Sequence, residues 1–148
     1  MKYNNNNERK KIKMTIHQII KVLQRNIKPY EEYVVEYEVM EAMNTISNGE
    51  ELIKPILELI GNYPMVDFGT PGYLVHFVEK FYNKGYEELL MQSVIKTPTS
   101  HNIWMLHRCY NNANDTKHDI YKMIAMDLKN SDTTPIEVKK QIDFYDWD

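Results

Sequence analysis

One cysteine, five glycines and the lack of any long apolar run narrow the classes this 148-residue chain can belong to. Cys109 has no second cysteine to pair with, which fits a reducing cytoplasm. No apolar stretch is long enough for a signal peptide or a membrane span, so the expectation is a cytoplasmic protein with no membrane partner. With so few glycines there is no Gly-rich phosphate loop. Gly69-Thr70-Pro71-Gly72 is a turn leading into a helix amino terminus, where free N–H groups could hold an anion, but no lysine follows to make it a nucleotide loop.

Recognisable catalytic or metal spacings are missing as well. The five histidines are His17, His76, His101, His107 and His118. His76-x-x-Glu79 puts two ligands on one helix face, yet carboxylate-bridged metal sites built from such a pair need a second copy, and none is present. His107 lies on an apolar stripe and reads as a hydrogen-bonded core histidine. His118 and Asp119 are neighbours, so on a helix they point about 100° apart and cannot work as a dyad. Cys109 beside Tyr110 reads as a buried thiol. The expectation is therefore a protein that is not an enzyme, with no catalytic residues, cofactor or metal.

What the chain does contain is apolar residues at helical spacing, separated by breakers. A hydrophobic content of 43% over this length is enough for a proper core in one domain. Threonine stands before proline at Thr70-Pro71, Thr97-Pro98 and Thr134-Pro135, each where an apolar stripe begins. A threonine hydroxyl can cap the first turn, and proline at the first helical position loses only a donor that has no partner there. Glu137 would complete a capping box with Thr134. Residues 1–8, with Asn4 to Asn7 in a row, carry no periodicity and are expected to be flexible, leaving 9–148 as a single helical domain.

Helical spacing begins with Ile12, Ile16, Ile19, Ile20, Leu23 and Ile27. Pro29 can open a second helix reaching roughly to Ile46, with Tyr30, Tyr33, Val34, Tyr37 and Met40 on one apolar face and Val35, Val39, Ala42, Met43 and Ile46 on another. The third carries Leu52, Ile53, Ile56, Leu57 and Ile60, and Pro55 makes it either kink or start late. Later stripes are Leu74 to Tyr82, Tyr86 to Val94, Ile103 to Tyr110, Ile120-Met123-Ile124-Leu128, and a last helix from Thr134-Pro135. Connections of about three to six residues favour antiparallel neighbours. The fold class read from this is all-α: an irregular, solenoid-like stack of about seven or eight short antiparallel helices in helical hairpins.

Charge is unevenly spread. The net charge of −3 conceals eight Lys/Arg against Glu8 alone in residues 1–28, then eight Glu against Lys54 alone in residues 29–60. Either the two segments pack together and neutralise one another, or the acidic one faces a partner. Arg9-Lys10-Lys11-Ile12-Lys13 is a short basic patch without interleaved aromatics on an acidic protein, so nucleic acid is not the expected partner.

The stretch Ile60-Gly61-Asn62-Tyr63-Pro64-Met65-Val66-Asp67-Phe68-Gly69-Thr70-Pro71-Gly72, then Leu74-Val75-His76-Phe77-Val78-Glu79, Gly85-Tyr86, Lys96-Thr97-Pro98-Thr99 and Trp104-Met105-Leu106-His107-Arg108, resembles small helical bacterial immunity proteins. Such proteins are encoded beside polymorphic or contact-dependent growth inhibition toxins and neutralise them. The resemblance covers about the central third of the chain and implies a cytoplasmic protein that binds one cognate toxin domain and blocks it. It does not place the interface.

A nuclease toxin with a positively charged cleft would be met by carboxylates for steering and aromatic side chains for anchoring. Tyr30, Glu32, Tyr33, Glu36 and Tyr37 supply both in the second segment, and Asp143, Tyr145, Asp146 and Trp147 supply both at the carboxyl terminus. A helical adaptor module with a partner other than a toxin would explain the same features. Neither reading fixes an oligomeric state.

Overall fold

The computed structural model describes residues 13–148, and of Asp115 and Thr116 only the backbone. The expectations for residues 1–8 and for Arg9 to Ile12 fall outside the described residues. Among the described residues eight α-helices and one short 3₁₀ helix follow one another: α1 (Ile16–Arg25), α2 (Tyr37–Thr45), the 3₁₀ turn (Gly49–Leu52), α3 (Ile53–Asn62), α4 (Tyr73–Glu79), α5 (Tyr86–Lys96), α6 (Ser100–Asn112), α7 (Asp115–Asn130) and α8 (Ile136–Phe144). The protein is all-α, and the single extended contact among the described residues is an isolated parallel bridge between Glu32 and Asp67.

Elements close in sequence pack together. α1 packs on α2 and on the 3₁₀ turn, α3 on α4 and α5, and α6 lies against α3, α5, α7 and α8. The core runs continuously through this stack, from Ile19 and Leu23 of α1 through Ile56 and Ile60 of α3, Leu90 and Val94 of α5 and Ile103 and Leu106 of α6 to Val138 and Ile142 of α8. No helix among the described residues is long and apolar enough to cross a membrane.

Several helix starts differ from the sequence expectation. None of the three Thr-Pro pairs caps a helix by its threonine. α4 begins after Gly72, whose backbone lies so close to Phe68 that an added Cβ would stand 1.8 Å from the Phe68 carbonyl oxygen. α6 is capped two residues beyond Thr97, where Thr99 Oγ1 accepts from Asn102 N (3.1 Å) and Asn102 Oδ1 accepts from Thr99 N (2.8 Å). This reciprocal capping box takes precedence because Asn102, fully buried, also donates to the Thr97 carbonyl at 2.8 Å. At the third site Pro135 stays extended (φ −57°, ψ 144°) and no side chain caps α8, so the Thr134–Glu137 box is not formed. The three helices thus begin one or two residues beyond their prolines. The reciprocal box at Thr15 and Gln18, which opens α1, had no Thr-Pro signal to mark it.

Pro55 sits in the first turn of α3, where its missing N–H costs no hydrogen bond, and the preceding 3₁₀ turn leads straight into the helix. The late start is the correct alternative. In α7 the expected stripe holds at Ile124 and Leu128, which pack partly buried against the core, whereas Ile120 and Met123 face outward and Tyr121 and Ala125 are buried instead. Small Ala125 lets α7 approach its neighbours, and the large Tyr121 ring sets which face does so.

The largest departure lies between Pro29 and Glu36, which do not form a helix. Tyr30 takes a left-handed φ of 66°. Beyond it the chain is extended, and its backbone donors and acceptors go to Asp67: Asp67 N donates to Glu31 O at 3.2 Å, and Tyr33 N donates to Asp67 O at 2.7 Å. The β-branched pair Val34-Val35 favours this conformation. Only from Tyr37 does the chain turn helical.

Candidate partner-binding surface

An extended segment alternates its side chains with a period of two, and this sorts the aromatic and acidic residues differently from a helix. Tyr33 and Val35 point inward, while Glu32, Val34 and Glu36 point out. Tyr30, in the turn that precedes the bridge, is 79% exposed, and Tyr37, opening α2, is 70% exposed. Tyr63 and Met65, in the turn between α3 and the bridge residue Asp67, are also exposed. Half of the large exposed apolar side chains of the described residues thus lie on one ridge, formed by 30–37 and 63–67.

Glu31, Glu32, Glu36 and Glu38 border this ridge and are all exposed. Among the described residues none of them forms an ion pair; the three pairs present are Glu79–Arg108, Lys122–Asp148 and Lys129–Asp143. Helix α1 packs on α2, yet Lys13, Lys21 and Arg25 form no ion pair with these carboxylates. Among the described residues the ridge is therefore an acidic surface without ion pairs, studded with tyrosines.

Tyr33, expected at this surface, is instead its anchor. Its hydroxyl donates to the Leu23 carbonyl of α1 at 2.7 Å, and its ring lies 5.3 Å from that of Phe68. From there rings follow one another into the protein: Phe68 to His101 at 5.7 Å, His101 to Trp104 at 5.3 Å, and Trp104 under the Arg108 guanidinium at 4.9 Å. Arg108 closes the row by forking onto Glu79 of α4, Nε to Oε2 at 2.9 Å and Nη2 to Oε1 at 2.8 Å, while Tyr82 donates to the same carboxylate. Burial opposes ionisation of Glu79, but the hydrogen bonds from Arg108 and Tyr82 outweigh it and hold the carboxyl below the usual range. Burial likewise pushes the His101 imidazole down to about 4, against the pull of Asp67. Through Tyr33 the ridge is thus joined to a row of packed rings that ends in a bidentate pair.

The second expected surface, at the carboxyl terminus, is a strap over the core. Trp147 is only 5% exposed; its indole N–H donates to the Ile142 carbonyl at 3.0 Å, and its ring meets those of His107 and Tyr110. Tyr145 stacks on His107 with ring centroids 4.4 Å apart. The Nε2–H of His107 donates to the Asp146 carbonyl at 2.8 Å, so this histidine fixes the strap. Trp147 is thus a correction to the expected partner contacts, since an indole loses more by exposure to water than the terminus gains by freedom. Asp143 and Asp146 remain exposed, the first paired with Lys129.

Of the other chemistry-bearing residues, His76 is exposed and Glu79 is engaged by Arg108 instead. Cys109 is buried in α6, and burial with nearby Glu87 and Glu79 pushes its thiol up to about 12. Among the described residues no group of three or more His, Cys, Asp or Glu side chains is placed to hold a metal. Compared with family models, with curated proteins and with solved structures, the chain matches none. What its fold and surface define is an all-helical protein with a preorganised acidic, tyrosine-bearing ridge.

Proposed function

We propose that this chain is an immunity protein that acts by binding: it docks the 30–37 ridge into the basic active cleft of a cognate toxin domain, of nuclease type, and blocks it. The observation that carries the reading is the pairing of exposed Tyr30, Val34 and Tyr37 with four glutamates that have no ion-pair partner among the described residues. Carboxylates of this kind accelerate encounter with a positive surface, and exposed tyrosines supply contact area at small entropic cost. The resemblance of residues 60–108 to small helical immunity proteins supports the same reading, and that stretch supplies the Tyr63–Asp67 edge of the ridge.

The test is protection in cells. A candidate toxin domain, sought in the gene immediately upstream, is expressed with wild type, with Tyr37→Ala, or with the Glu32→Lys, Glu36→Lys double variant. Wild type should restore growth and both variants should protect poorly while melting at the wild-type temperature, since all three positions are exposed. Full protection by both variants would remove the ridge from the interface, and failure of wild type to protect would leave a helical adaptor as the better reading.

A further inference from the structure

The bridge that fixes the ridge uses only one edge of its extended segment. Asp67 N donates to the Glu31 carbonyl, and the Asp67 carbonyl accepts from Tyr33 N. In an extended chain the backbone groups of successive residues face opposite edges, so the N–H and C=O of Glu32 and Val34 face away from Asp67. Among the described residues no hydrogen bond engages them. Both residues are exposed, Val34 at 65%, and the chain stays extended as far as Glu36 (φ −65°, ψ 148°). A row of unpaired donors and acceptors of this kind is a template for a further strand.

The side chains decide which strand fits. Glu32, Val34 and Glu36 follow one another at a spacing of two on the outward face, acid, apolar, acid, while Tyr33 and Val35 turn inward. Cross-strand neighbours on one face attract when their charges are opposite and repel when they are alike. A second copy of this edge would set glutamate against glutamate. The complement is a strand whose outward face reads base, apolar, base, that is, Lys or Arg at both ends of a five-residue stretch with an apolar residue between. Glu31 and Glu38, exposed and without an ion pair among the described residues, add to the same field.

We infer that the ridge holds its partner by strand addition: an extended basic segment of the toxin domain pairs with the backbone of Glu32 and Val34 and sets its bases beside Glu32 and Glu36. This mode of holding rests on the reading of the ridge as the partner surface and adds the form in which the partner is taken.

The probe is the peptide acetyl-Thr-Lys-Thr-Val-Thr-Lys-Thr-amide, titrated into the purified full chain and followed by amide chemical shifts and amide hydrogen exchange. Its counterpart is the same peptide N-methylated at every residue, which keeps both charges and donates no backbone hydrogen bond. The unmethylated peptide should give saturable shifts centred on residues 31–36 and slow the exchange of the Glu32 and Val34 amides. The methylated one should bind at least about tenfold more weakly, the loss of about one hydrogen bond or more. Val34→Pro removes an N–H that has no partner among the described residues, and should weaken the unmethylated peptide about tenfold relative to Val34→Ala. If Val34→Pro alters the fold, the Glu32→Lys, Glu36→Lys variant decides: it should lose the lysine peptide and instead bind acetyl-Thr-Glu-Thr-Val-Thr-Glu-Thr-amide, with the Val34 amide slowed as before. Equal binding of the methylated and unmethylated peptides, no binding of either, or exchange unslowed along 31–36 would overturn strand addition. Protection in cells alongside such a result would leave the immunity reading standing, whereas strand pairing without protection would overturn that reading and keep this one.

Discussion

Between Phe68 and Trp104 the His101 ring is packed with its Nε2 buried and without a partner, and its pKa is pushed from the ordinary 6.5 to about 4 by burial. The unfolded chain takes up a proton on this residue as the pH falls below 6.5, whereas the folded protein does so only near 4. Below 6.5 the unfolded state therefore binds more protons, and stability must decline as the pH falls through that window. The contribution is fully present above 6.5 and lost progressively down to 4. Its full size is about 3 kcal/mol, of which about 2 kcal/mol is lost by pH 5. For a chain of this length, that lowers the melting midpoint by on the order of 6 °C. Glu79 acts in the same direction but at lower pH, since its carboxyl titrates below the ordinary carboxylate value. Melts of wild type and His101→Phe between pH 7 and pH 5 separate the two. The variant should lose most of the wild-type slope in this window, and an unchanged slope would refute the assignment of the pH dependence to this ring.

Two further perturbations test the packing that holds the surfaces in place. Trp147→Ala removes a buried indole and its bond to Ile142, and by chemical denaturation should cost about 3 kcal/mol, the low end for a core tryptophan because the terminus can relax; a loss below about 1 kcal/mol would mean the strap contributes little. Arg108→Met leaves the Glu79 carboxylate with Tyr82 alone and should cost about 1–2 kcal/mol, kept small by the partial exposure of Arg108. That loss should shrink when the melt is repeated in Glu79→Gln, and equal losses in both backgrounds would show that the pair is not coupled.

The helices were legible because each buries a stripe at the period of 3.6 residues, as with Leu74, Val75, Phe77 and Val78 or Ile103, Leu106 and Tyr110. Their starts were less so. Thr-Pro is a sound local signal, but Asn102 three residues past Thr99 makes a better cap, one that shows only when its own buried bond to Thr97 is known. The segment from Pro29 to Glu36 was misread for a different reason. Its tyrosines and valines satisfy a helical period on paper, while the backbone is claimed by Asp67, more than thirty positions away and invisible to local periodicity. Val34-Val35 was the available hint. In the same way the Glu79–Arg108 pair arises where α4 and α6 meet, and no spacing announces it.

The proposal that the acidic ridge steers and anchors a basic toxin domain is tested most directly by the association rate for a candidate cognate domain, measured by stopped flow across a range of salt concentrations. Wild type should associate quickly at low salt and slow steeply as salt rises. The Glu32→Lys, Glu36→Lys variant should associate at least about tenfold more slowly and show a flatter salt dependence. Tyr37→Ala should keep the wild-type association rate and dissociate faster, by the roughly 2 kcal/mol of a hot-spot residue. Association rates and salt slopes identical in wild type and the charge-reversed variant would contradict the account.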